Sequence, residues 1–191
     1  GVKNFSLLAS IRMSNEIYFV NKFMELGFNT AEILHVNWSR KLLFQRFIEG
    51  ESLLSVLTGP KGEERLERSS RTIGELLAKV HRNGICLGDC NPFSFLFAQD
   101  GKIYLVDLEQ CSYEGSYAWD LAELIYYTSR YLSSDQADRF ASSLAEGYLR
   151  IGDSDVVLQA TDLRYARVLA PLSLPRTPSE LREAIMRVIK R

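Results

Sequence analysis

Hydrophobic residues near the start of the chain recur with a helical period. Between residues 14 and 26 they return every three or four positions, separated by charged side chains, which predicts an amphipathic helix. Ser14 or Asn15 would be its N-cap and Gly27 its stop.

The next segment changes to the patterns of strands and turns. Residues 33–36 and 42–48 are strand-like runs on either side of the polar turn 37–41, so they predict an antiparallel pair. Residues 49–52 interrupt the pattern, and residues 53–57 predict one short helix. The interruption is a candidate boundary between two lobes, 1–48 and 49–191.

The middle of the chain combines one long helix with one hairpin. Residues 63–81 carry an apolar face opposite an arginine-rich face, which predicts a helix that ends at Gly84. Residues 95–97 and 103–106 then flank the dipeptide Asp100-Gly101, a strong signal for a hairpin turn. Helical periodicity predominates afterwards and predicts four helices, over 119–131, 135–149, 156–169 and 178–190. The predicted fold class is therefore α+β.

Composition and charge describe an ordinary globular protein without a polyanionic partner. The 23 basic residues nearly balance the 24 acidic ones, for a net charge of −1. Basic side chains near the C-terminus fit a solvated helix end better than a nucleic-acid patch, so no direct nucleic-acid binding is expected.

The distribution of cysteines and apolar residues bears on location and cofactors. Three cysteines and two histidines lack the spacing of a zinc site, so reduced structural thiols are expected. No uncharged apolar run approaches the roughly 18 residues that span a bilayer, and the N-terminus has no signal-peptide pattern. We therefore expect a cytoplasmic protein without membrane attachment.

Two acids stand at the ends of the predicted hairpin segment. Asp89 follows Gly88 in a tight loop, and Asp107 follows the strand-like run 103–106. A loop aspartate is often only a turn or capping residue, and an acid at the end of a strand can cap the next turn. Their order and spacing give them a second interpretation.

That interpretation is a resemblance to the protein-kinase-like superfamily. The triplet Leu87-Gly88-Asp89 follows a Val-His-x-x-Gly-Ile lead-in at residues 80–85. This arrangement is similar to the His-Gly-Asp loop of small archaeal kinases, namely the RIO-type kinases and those associated with tRNA-modification complexes. The resemblance covers residues 15–131 and implies a mostly helical C-lobe with an incomplete N-lobe.

The resemblance implies ATP and Mg²⁺ as cofactors and assigns their chemistry to three residues. Asp89 would be the catalytic acid that aligns an acceptor hydroxyl with the γ-phosphate. Asp107 would bind magnesium. Ser94 stands where the family has a metal-binding asparagine, and its shorter hydroxyl is a weaker ligand.

The nucleotide side of the site is less complete in the sequence. Glu16 matches the helix acid that pairs with a nucleotide-anchoring lysine, although a Glu near a helix start also suits the helix dipole. No Gly-rich loop precedes it, and Lys3 is the candidate lysine upstream of Arg12. Backbone groups of Arg46 and Ile48 match the hinge that binds adenine, and a plain edge strand would have nearly the same sequence.

Asp120 matches the buried acid that braces the catalytic loop in kinases, and an N-cap is the competing interpretation.

Three functions remain open. One is an ATP-dependent phosphotransferase with a protein or small-molecule hydroxyl acceptor, Ser/Thr-type by preference. The second is a pseudokinase or interaction module that docks a protein partner through its C-lobe. The third is an unrelated α+β domain whose Gly-Asp loop is coincidental.

Overall fold

The computed structural model describes residues 5–60, 62–169 and 178–190. Within these residues it has eight helices and six strands. The helices are α1 (Ala9–Glu25), α2 (Leu53–Thr58), α3 (Gly62–Arg82), α4 (Tyr117–Ser129), α5 (Ser134–Leu149), α6 (Ser154–Ala160), α7 (Leu163–Leu169) and α8 (Pro178–Ile189). The strands are β1 (Asn29–Thr30), β2 (Ile33–Asn37), β3 (Leu42–Gln45), β4 (Gly50–Ser52), β5 (Phe95–Ala98) and β6 (Ile103–Leu105).

The strands form two small sheets. The larger sheet has the order β1-β6-β5-β4, with β1 parallel to β6 and the other neighbours antiparallel. The strands β2 and β3 form a separate antiparallel pair, which confirms the pair predicted from the sequence. Strand β3 ends at Gln45, three residues before the predicted end of that strand-like run.

The first helix begins earlier than its capping signals predicted. It starts at Ala9 after Leu8, whose side chain makes no capping hydrogen bond. Ser14 lies inside the helix, where its hydroxyl donates to the Ser10 carbonyl at 2.9 Å. The predicted N-cap was wrong because a serine side chain can bond the preceding turn of a helix as readily as it caps one.

The central hairpin matches its prediction. Strands β5 and β6 are antiparallel, and Gly101 in their turn has a φ of 78°. Asp100 accepts a hydrogen bond from the Lys102 amide at 3.0 Å. An Asp-Gly pair favours this turn because glycine adopts positive φ without a steric penalty.

Two other predictions need correction, and one strand was missed. The interruption at 49–52 contains strand β4, whose register on β5 places Glu51 opposite Phe97. The helix predicted over 156–169 is two helices, because the chain turns at Thr161, whose amide and hydroxyl both donate to the Leu158 carbonyl. The two-residue strand β1 was not predicted, since it is too short for a period.

One hydrophobic core joins α1 to the later helices. It extends from Phe23 on α1 through Leu77 on α3 to Phe140 on α5. Helices α3 and α5 approach closely at glycines: a Cβ on Gly147 would lie 2.0 Å from the Arg71 carbonyl oxygen. The lobe boundary at 48/49 stays a prediction.

Candidate active site

The loop of residues 87–94 connects α3 to β5 and carries Asp89. We call it the Asp89 loop. Its backbone is held by Asp120 in the first turn of α4, whose carboxylate accepts from the Leu87 amide at 2.6 Å and the Gly88 amide at 2.8 Å. Asp120 is fully buried. It therefore braces the loop, and the competing view of Asp120 as a plain N-cap is wrong because Ser116 caps α4.

Asp120 has a third polar partner in His81. The His81 Nε2 lies 3.1 Å from the Asp120 carboxylate, and its Nδ1 lies 2.8 Å from the Tyr148 hydroxyl. The His81 ring also stacks on Tyr117 with 4.5 Å between centroids. His81 therefore supplies an imidazole to Asp120 from the end of α3.

The next turn of α4 contacts the peptide groups on either side of Asp89. Oε2 of Glu123 accepts from the Cys90 amide at 2.9 Å and from the Trp119 indole nitrogen at 3.0 Å. The same indole nitrogen lies 3.3 Å from the Gly88 carbonyl oxygen. The sequence analysis missed Trp119 and Glu123. The available signal was spacing: Glu123 stands three residues after Asp120 and four after Trp119, which places the three on one side of the helix.

Two side chains of the loop complete the surroundings of Asp89. The Asn91 amide donates to the Asp89 carboxylate at 3.1 Å, and the Ser94 hydroxyl donates to the Asp89 carbonyl oxygen at 3.2 Å. Ser94 is buried, whereas Asp89 is partly open. The hydroxyl oxygen of Ser94 keeps its acceptor capacity while it fixes the loop.

Burial and nearby negative charges raise the pKa values of two side chains beside Asp89. Burial raises the pKa of Glu123 to about 8, and the charges of Asp89 and Asp120 add to the effect. The Cys90 thiol is fully buried, and its pKa is raised well above its ordinary value by burial and by nearby carboxylates. Cys90 is therefore inert at neutral pH.

Asp107 lies just beyond β6 with a backbone φ of 61°. Few residues other than glycine adopt this conformation, and such positions concentrate at functional sites. The side chain stays open to solvent, yet the surrounding protein displaces enough water to raise its pKa. The charges of Glu109 and Asp89 raise that pKa further, and Arg12 opposes them.

A cleft of about 540 Å³ separates α1 and the β2–β3 hairpin from Asp107. Its lining includes Glu16, Lys41, Gln45 and Asp107. At its edge Arg12 is paired with Glu109, with 2.7 Å between Nε and the carboxylate. The cleft therefore has acids on both walls and cations at its margin.

Glu16 is buried in the middle of α1, 7% exposed, so a favourable charge at a helix start does not explain it. The Gln45 amide donates to its Oε1 at 2.9 Å. Oε2 is buried and has no hydrogen-bond partner among the described residues. Burial raises the Glu16 pKa, the Gln45 hydrogen bond and the Leu108 backbone oppose this rise, and the charges of Asp107 and Glu109 add to it.

The structure describes the predicted hinge but not the predicted anchoring lysine. The Arg46 amide donates to the Glu32 carbonyl at 2.8 Å, and its guanidinium pairs with the Glu32 carboxylate at 2.7 Å. The Arg46 carbonyl and the backbone of Ile48 lie in a segment without strand pairing. Lys3 lies outside the described residues.

The donor chemistry of the site suits magnesium. Asp107 and Ser94 offer oxygen ligands, which Mg²⁺ prefers, and a cation would relieve the charge crowding that raises the Asp107 pKa. Among the described residues no cluster of three or more His, Cys, Asp or Glu side chains could hold a metal ion by itself. A magnesium ion here would be bound by protein oxygens and by phosphate oxygens together, as is usual for nucleotide sites.

The order of a braced acid loop, a hairpin and a second acid at positive φ defines a protein-kinase-like site. The lipopolysaccharide kinase (Kdo/WaaP) family matches residues 3–148. The chain belongs to this family, which confirms the α+β, protein-kinase-like fold.

Two curated relatives also match. A probable serine/threonine-protein kinase BUD32 homolog of Archaeoglobus fulgidus is 30% identical over 91 residues, which are 47% of this chain and 46% of the relative. A probable bifunctional tRNA threonylcarbamoyladenosine biosynthesis protein of Methanococcus vannielii is 23% identical over 155 residues, 80% of this chain and 27% of the relative. The predicted kinship with archaeal kinases is confirmed, and the chain spans less than half the length of either relative.

Within the described residues, no helix combines the length and apolar character needed to cross a bilayer.

Proposed function

We propose that this chain is an ATP-dependent phosphotransferase that transfers the γ-phosphate to a hydroxyl, of the Ser/Thr type by preference. The observation that carries the proposal is the bracing of the Asp89 loop by Asp120, with hydrogen bonds of 2.6 and 2.8 Å. This bracing holds Asp89 near Asp107, close enough for its charge to raise the Asp107 pKa. Phosphoryl transfer depends mainly on such positioning and on electrostatic stabilisation.

Asp89 would act on the acceptor. Its carboxylate accepts a hydrogen bond from the acceptor hydroxyl and aims the oxygen lone pair along the line of attack. The new bond joins this oxygen to the γ-phosphorus, the bond from that phosphorus to the β–γ bridging oxygen breaks, and the hydroxyl proton passes to Asp89 or to solvent. Bound ATP would supply the phosphoryl group, and bound Mg²⁺ would neutralise phosphate charge.

Two of the residues that would hold the nucleotide, Asp107 and Glu16, line the cleft. Asp107, assisted by Ser94, would hold magnesium, and the Arg46 carbonyl with the Ile48 backbone would bind adenine. Glu16 has a buried oxygen without a partner among the described residues. That oxygen suits a nucleotide-anchoring cation, a role that we assign to Lys3.

The test is a transfer assay with radiolabelled ATP, magnesium and casein as acceptor. Asp89→Asn should lower kcat by about 10²- to 10⁴-fold. The matched control is Asp100→Asn, the same chemical change in the exposed hairpin turn, and it should leave kcat unchanged. Equal transfer by Asp89→Asn and the wild type would remove the role of Asp89. Transfer to a saccharide and not to casein would move the acceptor class to sugar hydroxyls.

A second candidate function is an interaction module with weak or no catalysis. The Ser94 hydroxyl favours it, because this group donates to the Asp89 carbonyl and replaces the amide that the family uses for metal binding. The C-lobe helices would then serve as the docking surface for a protein partner. A wild type that binds no ATP with magnesium present would support this function over the first.

A further inference from the structure

Glu123 has a buried carboxyl group to which the proposed chemistry assigns no part. It lies one turn after Asp120 on α4 and is 7% exposed. Burying a carboxylate is costly, and an apolar side chain would avoid that cost. Helix α4 does not need Glu123 as a cap, because the Ser116 side chain accepts from the Trp119 amide. The contacts of Glu123 therefore point to the loop beside it.

Those contacts bracket Asp89. Glu123 accepts from the Cys90 amide at 2.9 Å, which fixes the peptide group after Asp89. It also accepts from the Trp119 indole at 3.0 Å, and that indole faces the Gly88 carbonyl before Asp89 at 3.3 Å. Glu123 and Trp119 thus hold both neighbours of Asp89 from one helix. Asp120 holds only the preceding amides, those of Leu87 and Gly88.

We propose that Glu123 is a positioning residue for phosphoryl transfer that fixes the direction of the Asp89 carboxylate through the Cys90 amide and the Trp119 indole. This inference rests on the proposed function. Glu123 would be a second brace of the Asp89 loop beside Asp120. It would affect the alignment of the acceptor hydroxyl and not the binding of the nucleotide.

The contact chemistry predicts different results for different substitutions. Glu123→Leu removes the acceptor of both hydrogen bonds, so kcat should fall about 10- to 100-fold, the scale expected for misplacement of a catalytic group. The KM for ATP should stay within about twofold, since no described nucleotide residue touches Glu123. Glu123→Gln keeps an oxygen that can accept both hydrogen bonds and should retain kcat within about threefold.

Two further variants guard against a folding defect. Trp119→Phe removes the indole donor along with part of a buried ring, keeps the Glu123 bond to the Cys90 amide, and should lower kcat less than Glu123→Leu does. Ile125→Ala truncates a buried apolar side chain of the same helix, 3% exposed, that has no polar group to hydrogen-bond the Asp89 loop. It should lower stability with kcat unchanged at a temperature where every variant is folded.

A double-mutant cycle in the transfer assay decides the question. In the Asp89→Asn background, Glu123→Leu should change the residual rate by less than about twofold, because groups that act as one unit are not additive. The same 10- to 100-fold loss in both backgrounds, or a shift in the KM for ATP with kcat retained, would overturn the inference. A wild type without any transfer would remove the proposed function and this inference with it. An active wild type with an equally active Glu123→Leu variant would remove this inference alone.

Discussion

On the acceptor side of the site, four backbone groups at Asp89 and its neighbours, the Gly88 amide and carbonyl, the Asp89 carbonyl and the Cys90 amide, have partners on α4 or within the Asp89 loop. On the nucleotide side, Glu16 keeps one buried oxygen without a partner among the described residues. The polar groups beside Asp89 are paired within the protein, whereas the buried Glu16 oxygen is one that a bound cation would satisfy. This contrast implies that stability depends mainly on the acceptor side and nucleotide affinity on the other.

Loss of Asp120 should give the largest effect on stability. Asp120→Ala leaves two buried amides and the His81 ring without their shared acceptor. The free energy of unfolding should fall by roughly 3–5 kcal/mol, the range for removal of one partner of a buried ionic contact. Urea unfolding measures it.

The control for this prediction is Asp153→Ala, which removes the N-cap of α6. Its expected cost is about 1 kcal/mol. Equal midpoints for the two variants would contradict the claim that the Asp89 loop depends on Asp120.

Glu123 should make stability depend on pH on the acceptor side. Its pKa rises from the ordinary value of 4.5 to about 8 in the folded protein. Between these values the folded state keeps a proton that the unfolded state has lost, so stability falls as pH rises. The expected slope from this group is about −1.4 kcal/mol per pH unit, and it levels off above the folded pKa.

Urea unfolding at several pH values between 5 and 9 gives this slope. Glu16 and Asp107 also have raised pKa values and add slopes of the same sign, so the comparison is with Glu123→Gln. This variant should have a flatter curve, and it should be more stable than the wild type above pH 8. Parallel curves for the two proteins would contradict the buried, protonated state of Glu123.

Glu16 should give a smaller effect on stability, of the opposite sign. Glu16→Gln removes a buried charge while it keeps an acceptor for the Gln45 amide, so the free energy of unfolding should rise by about 1 kcal/mol at pH 7. The affinity for ATP should fall, because an uncharged amide pairs poorly with an anchoring cation. Urea unfolding and calorimetric titration give the two quantities.

Glu75→Gln is the control, since Glu75 belongs to an exposed pair with Arg150, where the expected effect is within about 1 kcal/mol. A Glu16→Gln variant that loses stability without a change in ATP affinity would reverse the contrast between the two sides.

Much of the fold could be predicted because its signals are local. The Asp100-Gly101 turn and the long amphipathic face of α3 are properties of short segments, and both were predicted from the sequence. The pairing of β1 with β6 was not, because Asn29 lies 75 positions from Tyr104, its partner in the register. No local period encodes such a contact.

The candidate site shows the same division. Asp89, Asp107 and Asp120 stood out because their order matched a known pattern. Glu123 and Trp119 did not, since their importance comes from bonds to peptide groups of another segment, and backbone partners leave no trace in side-chain spacing. Glu16 was found by its position, yet its burial became evident only from the packing of α1 against the cleft.

The central claim is that Asp107 and the Asp89 loop form one magnesium-dependent nucleotide site. Calorimetric titration of ATP into the wild type and Asp107→Asn, each with and without magnesium, tests it most directly. The account predicts that magnesium strengthens ATP binding to the wild type by tenfold or more, about 1.4 kcal/mol, and that Asp107→Asn loses this gain. ATP binding that is equal in all four titrations, or absent from all of them, would contradict it.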